Sequence, residues 1–226
     1  MNINTEEFWN NIHQVEQNDS WREYPITFNT ISKIVGEKKV VAELGCGMGI
    51  LAKKLIDNHN KYIGLDISSI PKTAIEGMGG QFVQANFAKV FIETKRFADF
   101  VIATEFLEHF EDADYIVKHS KELIKENGTA IFSVPNNCLG HDELEEHYQM
   151  FNVESIKELF LKHYKFIEVY NFVEMFDTRL VDSETMEKVV LPTLLVVASD
   201  IDRRQQVHLS KSDNGGEKNG SKKESD

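Results

Sequence analysis

Val40-Val41-Ala42-Glu43-Leu44-Gly45-Cys46-Gly47-Met48-Gly49 is an apolar run of strand length that ends in three glycines at alternate positions, and the amphipathic stretch Ile50–Asp57 follows at once. An apolar run without strict alternation suits a strand covered on both faces. Glycines permit positive φ and let a ligand come close to the backbone. A helix that starts beyond such a turn offers its first, unpaired amides to a polar group. Strand, glycine turn and helix in this order predict a nucleotide-type cofactor at the turn, although a glycine turn taken alone is common in loops.

Working outward, short apolar runs alternate with amphipathic ones. Residues 39–44, 62–65, 81–83, 100–103 and 129–134 read as buried strands with helical stretches between them, an alternation that predicts a parallel sheet with right-handed crossovers. Residues 153–161 read as a helix, 165–172 as a strand and 191–199 as a last strand, with Pro192 placing the start of that run at an edge or end of the sheet. The insertion between these two strands, residues 173–189, is a candidate specificity element. Toward the N-terminus, Phe8, Ile12 and Val15 recur at helical spacing with Thr5 near the cap. After the turn-prone Pro25, a second helical stretch carrying Phe28, Ile31, Ile34 and Val35 stops at Gly36. The expected organisation is a helical lid segment over 1–37, one α/β domain over 38–202, and a disordered tail over 203–226, where polar residues replace apolar ones.

Composition narrows the function. With 226 residues, 41% hydrophobic and 27% charged, the chain has the balance of one ordinary globular domain and not of a fibrous or mainly disordered protein. The net charge of -12 disfavours a grip on nucleic acid, which depends on Lys and Arg displacing counterions, and favours a small-molecule partner. No run approaches the roughly 20 apolar residues of a membrane span, and the first ten residues are polar and acidic, so a cytoplasmic protein is expected. Cys46 and Cys138 show no CxxC spacing and no disulfide framework. The oligomeric state is open at this level.

The turn departs from the dinucleotide fingerprint G-x-G-x-x-G, which needs glycine where Ile50 stands, so a nicotinamide-dependent dehydrogenase is the weaker reading. With Glu43 two residues before Gly45 and the glycines running G-x-G-x-G, the segment resembles the first motif of class I S-adenosylmethionine-dependent methyltransferases. Later segments resemble that family in order: 64–67 ending the second strand, 84–87 after the third, 98–109 at the fourth, and 127–136 at the fifth with its leading glycine turn. The resemblance covers about residues 38 to 200. It implies a Rossmann-like α/β fold, a seven-stranded, mostly parallel sheet with helices on both faces, and S-adenosyl-L-methionine as cofactor. It further implies Gly45, Cys46, Gly47 and Gly49 at the cofactor's methionine part, with Glu43 in the strand ordering that loop and Thr104, at the end of the fourth strand, among the cofactor-binding residues. Asp66, followed by Ile67, would take the ribose hydroxyls, since a carboxylate accepts from both, and Asn86 and Phe87 would hold the adenine.

Methyl transfer is an in-line displacement, so the protein aligns the acceptor, excludes water and, for a hydroxyl, removes its proton. Glu105, Glu108 and His109 form an E-x-x-E-H run whose offsets, in a helix, place all three on one face at the ligand-binding end of the fourth strand. His141, Glu143, Glu145, Glu146 and His147 follow the fifth strand and could fold over the same end. The run resembles both ubiquinone-biosynthesis O-methyltransferases and small-RNA 3′-terminal 2′-O-methyltransferases. The latter resemblance implies Glu105, Glu108, His109 and His147 as ligands of a divalent metal, whereas solvated carboxylates on a helix are the ordinary case. Without a metal, His109 is the expected catalytic base, with His147 or His141 behind it, and a purely structural role for each histidine stays open. Trp9, Trp21 and Tyr24 are candidate lid aromatics; Phe106, Phe110, Tyr148 and Phe151 are either core or substrate contacts. The expected function is methylation of a small-molecule acceptor, with oxygen favoured by the E-x-x-E-H resemblance. The alternatives are 2′-O-methylation of an RNA end and a non-catalytic module that keeps the cofactor pocket.

Overall fold

The apolar runs on either side of the glycine turn pair with one another in the computed structural model, which describes residues 4–16, 24–87, 96–137, 145–178 and 187–203. Seven strands form one sheet: β1 (Val40–Leu44), β2 (Lys61–Asp66), β3 (Gln81–Gln84), β4 (Ala98–Thr104), β5 (Ile124–Pro135), β6 (Phe166–Thr178) and β7 (Glu187–Ser199). Their order is β3-β2-β1-β4-β5-β7-β6. From β3 to β5 every pairing is parallel, and β7 runs antiparallel to both β5 and β6. This is the mostly parallel, seven-stranded sheet that the resemblance implies. Strand order reverses between β1 and β4, so the loops leaving their carboxyl ends part and open a crevice there.

Burial on both faces explains why the strands read as apolar runs. Val101, Ala103, Ala130, Phe132, Leu194 and Val196 pack on one face against α5 (Ala113–Leu123) and α6 (Val153–Leu161). On the other, Val41, Phe100, Ile102, Ile131, Leu195 and Val197 pack against α2 (Pro25–Val35), α3 (Ile50–Asp57) and α4 (Lys72–Gly77). Local signals set the helix ends. Pro25 opens α2 at its first turn, and Gly36 closes it at φ 70°. Asp112 accepts from Tyr115 N ahead of α5, and Asn152 with Ser155 forms a capping box ahead of α6. No helix among the described residues is long and apolar enough to cross a membrane.

The structure corrects three expectations. Residues 173–178 and 187–189 are no separate insertion: they continue β6 and β7 as a paired ribbon, with register running to Thr178↔Glu187, while 179–186 lie outside the described residues. Pro192 therefore lies inside β7, not at its start. Asn136 N donates to Pro192 O at 2.8 Å just past the last β5 pair, Pro135↔Thr193, so the proline marks where β7 leaves β5 and runs on with β6 alone. A strand residue's N–H and C=O point to the same side, so the donor that proline lacks falls where pairing ends. Finally, Glu105 to His109 is not one helical face: Glu105 has φ 47°, and only Leu107–His109 forms a single 3₁₀ turn. From 204 onward, the expected tail lies outside the described residues.

Candidate cofactor and acceptor site

The glycine turn is fastened to the strand beside it. Gly45 N and Cys46 N both donate to Leu65 O, at 2.7 and 3.1 Å, and Gly47 N donates to Asp66 Oδ2 at 3.0 Å. Two positions show why glycine is needed. At Gly45, with φ 66°, a Cβ would stand 2.4 Å from the Phe106 ring; at Gly49, with φ 77°, it would stand 2.5 Å from Ile75 Cδ1. Asp66, only 4% exposed, also accepts from Ser68 N at 2.9 Å through Oδ1. Two backbone amides thus hold this carboxylate in a fixed orientation at the carboxyl end of β2.

An open cleft lies above these groups, lined by Gly45, Asp66, Ile67, Ala85, Asn86 and Phe87 on one side and by Glu105, Phe106, His109 and Phe110 on the other. Phe87 and Phe106 meet edge to face at 5.7 Å, and Phe106 lies 4.7 Å from Phe110, which makes an aromatic wall. A ligand with a flat apolar part and a vicinal diol fits this set: aromatic surface, the Asn86 amide and an oriented carboxylate. The remaining expected cofactor residues serve the turn from behind. Cys46 packs its sulfur against Gly64, where a Cβ would meet it at 2.9 Å, and burial, with the neighbouring Asp66 and Glu43 carboxyls, raises its thiol pKa well above the usual range. Glu43, 2% exposed in β1, accepts from Tyr62 Oη at 2.5 Å, and Thr104 supplies a second hydrogen bond. Burial pushes its pKa up to about 8, aided by the Asp66 charge and opposed by the two hydroxyls.

On the His109 side of the cleft, the turn after β4 splits the E-x-x-E-H run. Glu105 turns back onto β5, its Oε1 accepting from Ser133 Oγ at 2.8 Å and its N–H bonding to Ser133 O at 3.0 Å. Glu108 is buried, and its carbonyl accepts from Tyr148 N and Gln149 N, which hooks the 145–149 loop onto the 3₁₀ turn. This brings Glu108, His109 and His147 together, with ligand atoms within 4.8 Å of one another. Glu105, expected as a fourth ligand, lies outside that group, and His141 and Glu143 lie outside the described residues. His109 Nδ1 stands 3.1 Å from Glu146 O. A carbonyl only accepts, so Nδ1 carries the proton, and in the neutral ring Nε2 carries the lone pair.

The segment before β1 covers this cleft. Asn4, Trp9 and His13 complete its lining, and they are carried by or adjoin α1 (Glu6–Glu16). Trp9 packs edge-on against His109 at 4.8 Å. Asn4 Nδ2 donates to His109 O and Glu146 O, both at 3.0 Å, and so ties the two loops on the His109 side of the cleft together. Sequence reading named Trp9 but missed Asn4, Asn10 and His13. The apolar stripe Phe8, Ile12, Val15 drew attention to one side of α1, whereas Glu6, Asn10 and His13, also at i, i+4 and i+7, mark the opposite side, which faces the cleft. Tyr24 packs beside Phe28 and Phe151 is buried in the core, while Trp21 lies outside the described residues.

Comparison with known proteins agrees with this fold. A family model described as a methyltransferase domain matches residues 11–178. The chain is similar to ubiquinone biosynthesis O-methyltransferases. It is 28% identical over 123 residues to that of Nitrosomonas europaea, 50% of this chain and 51% of the relative. To that of Aliivibrio fischeri it is 28% identical over 149 residues, 62% of each, and to that of Pasteurella multocida 32% identical over 116 residues, 45% of this chain and 48% of the relative. It thus spans between 48% and 62% of the length of these relatives. Among solved structures, an S-adenosylmethionine-dependent methyltransferase from Methanosarcina mazei superimposes with TM-score 0.59 at 17% identity, covering 80% of this chain and 99% of that one. The 1,6-didemethyltoxoflavin-N1-methyltransferase of Burkholderia thailandensis, solved with 1,6-didemethyltoxoflavin and S-adenosylhomocysteine, gives 0.57 at 14%, covering 82% and 84%. At such identities the structures speak for the fold. The family model carries the relationship, and by it the chain belongs to the methyltransferase domain family, with the class I, Rossmann-like fold of S-adenosylmethionine-dependent methyltransferases.

Proposed function

We propose that this chain methylates a hydroxyl group of a small-molecule acceptor, with the cofactor on the Asp66 side of the cleft and the acceptor on the His109 side. The observation that carries the reading is the single cleft in which an oriented carboxylate, an amide and an aromatic wall face an imidazole. S-adenosylmethionine supplies the electrophilic methyl group; the protein's own residues bind, align and deprotonate. In this reading Gly45 and Gly47 give backbone access beside the methionine part, Asp66 accepts from the ribose hydroxyls, and Asn86 and Phe87 hold the adenine. Glu43, Cys46, Gly49 and Thr104 shape the turn from beneath, and Ile67 closes the ribose side. His109 is the base: Glu146 O holds its Nδ1–H, which sets the tautomer whose Nε2 carries the lone pair and takes the acceptor's proton. α1 serves as the cover that keeps water out while this happens.

The donor set Glu108, His109 and His147 also fits a divalent cation such as Zn²⁺ or Mn²⁺. Bound there, a cation would acidify the acceptor hydroxyl, and the three side chains would act as ligands in place of a free base.

The test is methyl transfer from labelled S-adenosylmethionine to a panel of hydroxylated small molecules, run with and without Zn²⁺ or Mn²⁺. His109→Ala is expected to leave S-adenosylhomocysteine affinity unchanged and to lower turnover by roughly a hundredfold or more. Normal turnover in that variant would remove His109 as base and as ligand together, and turnover that survives chelation and does not need His147 would leave the base reading alone.

A further inference from the structure

We infer that α1 does more than cover the cleft: His13 is a ribose-binding residue that works as a pair with Asp66. This rests on the reading of the cleft as the cofactor site.

The placement of His13 follows from the side of α1 that carries it. Glu6, Asn10 and His13 follow one another at i, i+4 and i+7, so they share a side of the helix. The first two dock onto the sheet's ligand-binding end. Gln84 Nε2 donates to Glu6 Oε1 at 2.9 Å from the end of β3, and Ser68 Oγ donates to Asn10 Oδ1 at 2.6 Å from the loop after β2. Together they fix both the position and the rotation of α1, and that setting aims the third residue at Asp66. His13 is 5% exposed, its Nε2 lies 3.6 Å from Asp66 Oδ1, and its Cε1 lies 3.7 Å from where a Cβ on Gly47 would stand.

A separation of 3.6 Å is too long for a direct hydrogen bond. It is short enough for one hydroxyl oxygen to serve both groups, donating to the carboxylate and accepting from the imidazole N–H. A carboxylate is an acceptor, so Asp66 satisfies a hydroxyl's hydrogen and leaves the oxygen's lone pairs to another donor. Its own orientation is set by Gly47 N and Ser68 N, which come from the two loops that flank the ribose position. His13 brings a third element to the same carboxylate, from a part of the chain outside the sheet. The consequence is specificity: the His13–Asp66 pair favours a ligand that presents a ribose hydroxyl, and an aromatic base alone does not engage it.

The experiment compares S-adenosylhomocysteine with its 2′-deoxy and 3′-deoxy forms by calorimetric titration, on the wild type, His13→Ala and His13→Gln, with thermal melting to confirm that each variant folds. For the wild type, the loss of one particular hydroxyl is expected to weaken binding, and His13→Ala is expected to weaken the parent ligand by roughly tenfold. The two losses are expected not to add: His13→Ala should bind the sensitive deoxy form as well as the wild type does. His13→Gln, which keeps a side-chain N–H, should recover part of the affinity. If His13→Ala weakens all three ligands equally, or none, the pairing with the ribose is wrong while the cofactor site stands. If the wild type binds none of the three, the cofactor site itself is wrong and this inference falls with it.

Discussion

Glu43 is an acid in the wrong solvent. It is 2% exposed inside β1, and burial raises its pKa to about 8 from the ordinary 4.5, so near neutral pH it is mostly a hydrogen-bonded neutral carboxyl under the glycine turn. The folded chain therefore holds this proton more tightly than the unfolded chain. The associated stability is complete below pH 4.5, is lost progressively as pH rises to about 8, and changes little above it. Melting temperature against pH is expected to show this decline in the wild type, and Glu43→Gln, which keeps an acceptor for Tyr62, is expected to flatten that part of the curve. A variant curve parallel to the wild type between those limits would contradict the assignment. The turn and its acids were legible because Glu43, two residues before Gly45, and Asp66, closing a strand, match the spacing of the family's motifs. The sequence could not reveal Glu105 turning onto Ser133, because that depends on a positive φ at a non-glycine residue, which no residue type announces. His13 was hidden for a different cause, since one histidine on a polar helical side looks like any solvated residue.

At the scale of elements, the strands and most helices were readable from apolar period and end signals, and their joints were not. Residues 153–161 matched a helix to the residue, yet β6 ran six residues past its expected end, because a two-stranded ribbon needs no core and so leaves no continuous apolar run. That ribbon carries one joint of consequence. Glu174, buried in β6, accepts from Thr27 N at 2.6 Å and Ile26 N at 3.2 Å, and thereby caps the first turn of α2 from another element. A carboxylate at a helix N-terminus satisfies orphan amides and complements the dipole. Glu174→Ala is expected to cost about 2 kcal/mol in urea unfolding, whereas Glu158→Ala, on the exposed side of α6, is expected to leave the midpoint in place. Equal effects would mean that the joint contributes nothing beyond a surface acid.

For the whole molecule, the formal charge of -12 disfavours an electrostatic grip on a polyanion. A polyanion meets a repulsive surface, so binding to a short single-stranded RNA is expected to be undetectable at physiological salt, by fluorescence anisotropy. Salt-sensitive micromolar binding would reopen the RNA-end reading. Fold class was legible at this scale because five segments matching the family's motifs keep their order along the chain, and the sheet brings the carboxyl ends of their parallel strands to one side. The acceptor was not legible, since Asn4, Trp9, Phe106 and Phe110, which line the cleft beside His109, are brought together only by folding. The most direct test of the account is calorimetric titration of the purified protein with S-adenosylmethionine and with S-adenosylhomocysteine. The account predicts one site per chain with micromolar affinity for each; heats no different from ligand dilution for both would contradict it.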